Sequence, residues 1–148
     1  MFHVVDDQPG LATLICEILG AMGHKAMPFT CPQQYIDYVA SDDFTMPLGT
    51  ITDVDMPIMN GYEMMERIHR IRPEIKFVIL SGEGSIDHAY KAMACMYFTK
   101  PKTAKVYATI FEKLLRCLED GSSEEIGCVA CDDREHFGLK SWSCPHLA

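Results

Sequence analysis

Several things are scarce in this 148-residue chain. No apolar run approaches the ~20 residues that span a bilayer, so no membrane segment is expected. No basic leader precedes an apolar stretch at Met1-Phe2-His3, so no secretory signal is expected and the protein reads as cytoplasmic. Basic residues are in the minority, 13 Lys and Arg against 21 Asp and Glu, for a net charge of −8. That leaves no basic footprint for phosphates and argues against direct DNA binding. Cysteine is present as seven residues, an odd number. Cys16, Cys31, Cys95 and Cys117 stand singly in apolar or helical stretches and read as small buried hydrophobes.

What is abundant is ordinary: 48% hydrophobic and 23% charged residues describe a globular chain with room for one domain and a small appendage. The information lies in the order of the residues. Phe2-His3-Val4-Val5 is a β-rich run, and Pro9 opens a helix whose apolar positions are Leu11, Leu14, Ile15, Ile18, Leu19 and Met22, stopped by Gly23. Lys25–Phe29 is a short strand, marked as an edge by Pro28, and Cys31–Ala40 is a helix. Leu48–Thr52 is a strand, and Met64, Met65, Ile68 and Ile71 follow at helical spacing up to Pro73. Phe77–Leu80 reads as a strand buried on both faces, and Ser85 caps a helix to about Ala92. Tyr97–Thr99 is a fifth strand, and Thr103 starts the longest helix, with Val106, Ile110, Leu114, Leu115 and Leu118 on one face. Five β-α units in succession call for a parallel sheet with helices on both faces.

Four strands end in polar residues: Asp6-Asp7, Asp53, Ser81 and Lys100. In open α/β sheets the carboxyl ends of the strands carry the working groups. Asp6, Asp7 and Asp53 converge if the first and third strands are neighbours, and three close carboxylates require a cation or raised pKa values. Hard oxygen ligands suit Mg²⁺. A metal, the Lys100 ammonium and the Ser81 hydroxyl are what the oxygens of a transferred phosphoryl group need, and a carboxylate can itself accept that group. Read singly, Asp6-Asp7 is also a helix cap, Ser81-Gly82 a turn and Tyr97 a core aromatic, and Asp55 competes with Asp53 as acceptor.

Asp6-Asp7, then Asp53-x-x-Met56-Pro57-x-Met59-x-Gly61, then Ser81, then Lys100-Pro101 resembles the receiver domain of bacterial response regulators over residues 2 to 119. The resemblance implies a flavodoxin-like, doubly wound five-stranded parallel sheet of order 2-1-3-4-5. It implies Asp53 as the phosphoacceptor, Mg²⁺ on Asp6 (through water), Asp7, Asp53 and the carbonyl of Asp55, and Lys100 on the phosphoryl group. Ser81 and Tyr97 become the switch, Asp55 and Glu83 tune hydrolysis, and Pro101 is expected to be cis. The donor is a sensor histidine kinase or histidine phosphotransfer protein, and a downstream protein reads the face of the fourth helix, fifth strand and fifth helix. The chain is then no enzyme beyond its own phosphorylation and aspartyl-phosphate hydrolysis. Two positions depart from the family's habit: Met93, where glycine is usual, and Met96, which with Cys95 makes an apolar stretch that suits a partner surface or extra core.

The receiver is expected over 1–120 and a tail over 121–148, too short for a DNA-binding output module. In the tail Cys128 and Cys131 form a Cys-x-x-Cys that is followed, after twelve intervening residues, by Cys144-x-His146. With His136 as an alternative fourth ligand this resembles Zn²⁺ spacing; a back-folded extension is the competing reading. A rival chemistry is the phosphatase of haloacid dehalogenase type, built on Asp53-x-Asp55, but its acidic pair follows the nucleophile, whereas Asp6-Asp7 precedes Asp53.

Overall fold

The structure, a computed structural model, describes residues 1–82 and 94–120. The elements are β1 (Phe2–Val5), α1 (Pro9–Ala21), β2 (Ala26–Phe29), α2 (Pro32–Val39), β3 (Gly49–Thr52), α3 (Gly61–Ile71), β4 (Phe77–Ser81), β5 (Ala94–Thr99) and α4 (Ala104–Asp120). The expected helix from Ser85, Glu83, Met93 and the whole tail with Cys128, Cys131, His136, Cys144 and His146 lie outside the described residues. Among the described residues no helix is long and apolar enough to cross a membrane.

The strands form one sheet in the order β2-β1-β3-β4-β5, every pairing parallel. β2 is an edge strand, as Pro28 requires: it lacks an amide hydrogen for a second neighbour. Successive strand residues point to opposite sides, and this alternation divides the core. Phe2, Val4, Ile51, Val78 and Leu80 pack with Ala12, Ile15 and Leu19 of α1 and with Tyr107, Phe111 and Leu114 of α4. Val5, Phe77 and Ile79 pack instead with Tyr35, Ile36 and Val39 of α2 and Met64, Met65 and Ile68 of α3. Gly23 ends α1 with φ of +89°, a conformation that strains any side chain.

Three expectations are corrected here. β5 begins at Ala94, not Tyr97. Val78 pairs with Met96 while Phe77 pairs with Ala94, so a bulge at Cys95 absorbs one residue and lets the strand start earlier. In α4 the sheet-facing stripe is Tyr107, Phe111, Leu114 and Leu115, at i, i+4, i+7 and i+8, and Val106 points outward at 47% exposure. The aromatic pair wins the buried face because it covers more apolar area than a lone valine. Cys16 and Cys31 are half-buried rather than buried; Cys16 flanks the α1 core and Cys31 is the N-cap residue of α2.

Candidate functional site

β1 and β3 lie side by side with Val5 opposite Thr52, so the residues that follow, Asp6 and Asp53, leave the sheet at the same level. The ladder runs on into both acids: Asp53 N donates to Val5 O at 2.9 Å and Asp6 N to Phe29 O at 3.0 Å. Their side chains are thus anchored by regular backbone, which a loop would not provide. One carboxylate oxygen of each of Asp6, Asp7 and Asp53 falls within 4.8 Å of the others.

Lys100, from the tip of β5, places Nζ 3.0 Å from Asp6 Oδ2 and 3.0 Å from Asp53 Oδ2. The other oxygen of each acid takes backbone amides. Asp6 Oδ1 accepts from Gln8 N at 2.9 Å, and Asp53 Oδ1 accepts from Val54 N at 2.7 Å and more weakly from Asp55 N at 3.3 Å. Asp53 is only 5% exposed. Burial raises its carboxyl above the ordinary carboxylate range, against the pull of Lys100 and the Val54 amide. Burial also disfavours the Lys100 ammonium, but its hydrogen bonds to Asp53 and Asp6 outweigh that and raise its pKa.

Three carboxylates less one ammonium leave two negative charges uncompensated at the tips. The donor set is all oxygen, and Asp7 is half-buried, which leaves one side of the cluster open to water. These features fit a small divalent cation that keeps part of its hydration shell, as Mg²⁺ does.

The loop after Asp53 is built to hold this carboxylate. Gly61 N donates to Val54 O at 2.9 Å, and Asn60 caps α3 by accepting from Glu63 N at 2.9 Å. A Cβ on Gly61 would run into the Asp53 carbonyl oxygen, closer than packed atoms tolerate. The glycine of the Met56-Pro57-x-Met59-x-Gly61 pattern therefore makes room for the backbone of the acid itself. Met56 and Met59 bury their side chains beneath the loop.

Asp6, Asp7, Asp53 and Lys100 are thus brought together, and Asp55 lies next to them with its side chain exposed. Ser81 ends β4 opposite Thr99, and Tyr97 lies in β5 opposite Ile79; only their backbone is among the described parts. The helix-cap reading of Asp6-Asp7 is set aside: the N-cap of α1 is Gln8, without a side-chain cap. The expected cis peptide before Pro101 is also corrected, since every described peptide bond is trans and Lys100 reaches both acids from that geometry. Sequence reading missed the backbone amides of Gln8 and Val54, which any residue except proline supplies. It also missed a buried polar chain from His3 Nδ1 to Tyr35 Oη (2.9 Å) and on to Thr50 Oγ1 (2.7 Å). A histidine inside an apolar strand run was its one visible signal.

Among known proteins, the chain is 29% identical over 115 residues to the DNA-binding transcriptional regulator NtrC of Azospirillum brasilense, covering 76% of this chain and 23% of that one. It is 27% identical over 101 residues to sporulation initiation phosphotransferase F of Bacillus subtilis, covering 66% of this chain and 79% of that one. The chain spans between 20% and 27% of the length of the first three relatives matched. Its fold superposes on a CheY-like response regulator receiver domain protein from Methanospirillum hungatei with a TM-score of 0.67 at 20% identity, covering 80% of this chain and 93% of that one. The family model of the response regulator receiver domain matches residues 2–111, the span that holds all four converging side chains, and the chain belongs to that family.

Proposed function

We propose that this chain is a phosphoacceptor of a two-component phosphorelay, with Asp53 as the residue phosphorylated. The receiver is residues 1–120, a doubly wound sheet of five strands with helices on both faces, and residues 121–148 are an appended tail. The observation that carries the reading is the setting of the Asp53 carboxylate: Oδ1 on the Val54 amide at 2.7 Å, Oδ2 on Lys100 at 3.0 Å, with two further acids beside it.

The donor is the phosphohistidine of a sensor histidine kinase or a histidine phosphotransfer protein. A carboxylate oxygen of Asp53 attacks phosphorus, the P–N bond to the imidazole breaks, and the bonding electron pair stays on that nitrogen. The product is an acyl phosphate on Asp53 and a free histidine on the donor. Asp7, Asp53 and the Asp55 carbonyl would hold Mg²⁺, with Asp6 acting through water, and the ion would supply positive charge to the phosphoryl oxygens. Lys100 leaves its carboxylate partners to meet one of those oxygens, a charge-assisted contact that strengthens as charge shifts towards them. Asp6 and Val54 keep the remaining geometry in place. Ser81 and Tyr97 respond to the new group, and Asp55 and Glu83 set how fast it is hydrolysed.

The chain turns over no other substrate. It works in the cytoplasm, and its output is protein contact through the segment before β5, β5 itself and α4, without direct DNA binding. Phosphoramidate with MgCl₂ tests the chemistry. The expected product carries one phosphoryl group per chain, is released by hydroxylamine and is absent in Asp53→Asn. Equal labelling of Asp53→Asn would overturn the assignment.

A further inference from the structure

Ile58 combines two properties that rarely occur together. Its side chain is fully exposed, at 105% of the reference area. Its backbone has φ of +72°, the left-handed region that a β-branched residue seldom enters. Met59 N donates to Pro57 O at 2.8 Å, closing a three-residue turn with Ile58 at its centre. Met56 and Met59 are buried on either side, so the turn is clamped and Ile58 is held outward.

The turn itself does not need isoleucine. Glycine or asparagine would take this backbone with less strain and without exposing hydrocarbon. Backbone strain that is kept in place by its surroundings is a pointer to function. The loop that carries Ile58 starts at Asp53 and returns to it, since Gly61 lies against the Asp53 carbonyl. Asp53 is almost covered, so a protein that delivers a phosphoryl group to it must close over this mouth. Ile58 and the exposed Pro57 are the first apolar groups which such a partner meets on this loop.

We propose that Ile58 is a recognition residue for the phosphohistidine-bearing donor protein, making an apolar contact that seats the donor over Asp53. This rests on the phosphoacceptor reading above. A small donor has no surface to seat, so Ile58 contributes nothing when phosphoramidate is the source.

The test compares two donors on the full chain. Purified phosphohistidine domains of kinases and phosphotransfer proteins are screened for transfer to the wild type, and those that transfer are used with Ile58→Gly, Ile58→Asn and Ile58→Leu. The expected result is a loss of about tenfold in transfer rate for the Gly and Asn variants, as for a contact worth about 1.4 kcal/mol. Ile58→Leu retains most of the rate. Labelling by phosphoramidate stays within about twofold for all, and the Gly and Asn variants melt no lower than the wild type, because both residues favour the turn. Equal loss with both donors, unchanged protein-to-protein transfer, or no transfer from any phosphohistidine domain to a wild type that phosphoramidate does label would each overturn the proposal. If phosphoramidate fails to label even the wild type, the phosphoacceptor reading itself has failed, and this inference falls with it.

Discussion

At the tips of β1 and β3, Asp6 and Asp53 each lie 3.0 Å from the Lys100 ammonium; three residues earlier in β1, His3 is buried as deeply and gives its charge up. The two regions show two solutions to one cost. A buried charge must be paired or removed. At the tips it is paired, incompletely, and the excess of carboxylates suits the site to a cation. In the middle of the strand the group is neutral. His3 sits among Phe29, Tyr35, Tyr38 and Phe44, with ring centroids between 5.4 and 6.0 Å away, and bonds through Nδ1 to Tyr35. Burial and the nearby positive N-terminus push its pKa down to about 4. Burial also pushes the Tyr35 hydroxyl above its ordinary value, so it stays protonated and can serve both His3 and Thr50. The charged region keeps an excess of acids over its one lysine, and the neutral one holds α2 to the sheet.

The largest test of this contrast is Asp53→Asn. It removes phosphoramidate labelling altogether, while the melting temperature rises: burial raises the Asp53 carboxyl, so its charge costs stability at every pH above its ordinary value of 3.8. A lower melting temperature would mean that Lys100 more than compensates the acid and that the tips are not a strained region.

Acid titration probes the neutral region. The folded pKa of His3 lies below its ordinary 6.5, so unfolded chains take up a proton that the fold refuses. The stability that neutral His3 permits is complete above about pH 6.5 and is lost as pH falls towards 4, by about 3 kcal/mol in total. Asp53 works in the opposite direction, since protonation relieves it. The informative quantity is therefore the difference between wild type and His3→Phe in urea unfolding across this window. A constant difference would remove the cost assigned to His3.

Lys100→Met removes the pairing charge at the tips. Its partners are almost covered while Lys100 is 18% exposed, so the expected loss is about 2 kcal/mol, below that of a fully buried pair. Millimolar Mg²⁺ restores part of it if the acids bind the ion, as thermal melting with and without the metal will show. The smallest effect is that of Tyr35→Phe, which deletes the link between His3 and Thr50 and costs about 1 kcal/mol by denaturant unfolding. The same substitution leaves phosphoramidate labelling of Asp53 unchanged; a slowed reaction would show that the two regions are coupled.

The legible parts of the molecule were those written locally. Pro9 and Gly23 mark the two ends of α1, and Pro28 marks β2 as an edge strand, by backbone chemistry that holds in any fold. α4 was legible as a helix but not in its rotation, because Val106 and Tyr107 both begin acceptable apolar stripes and only the sheet chooses between them. The start of β5 was hidden by the bulge at Cys95, since pairing with β4, not the composition of the segment, sets where the strand begins.

By itself the sequence determined the β-α order, the identity of the acids and the lysine at the strand tips, and through their motif the family. These depend on residue type and spacing along the chain. Tertiary structure alone decided that Asp6, Asp7, Asp53 and Lys100 meet, that Gly61 must be glycine because the Asp53 carbonyl occupies the place of its side chain, that His3 is neutral, and that Ile58 stands exposed on a left-handed turn. The meeting of the acids with Lys100 and the neutrality of His3 depend on parallel pairing of strands far apart in sequence, because electrostatic cost and burial arise only once those strands are side by side, whereas the Gly61 contact and the Ile58 turn depend on how the loop after Asp53 folds back on itself.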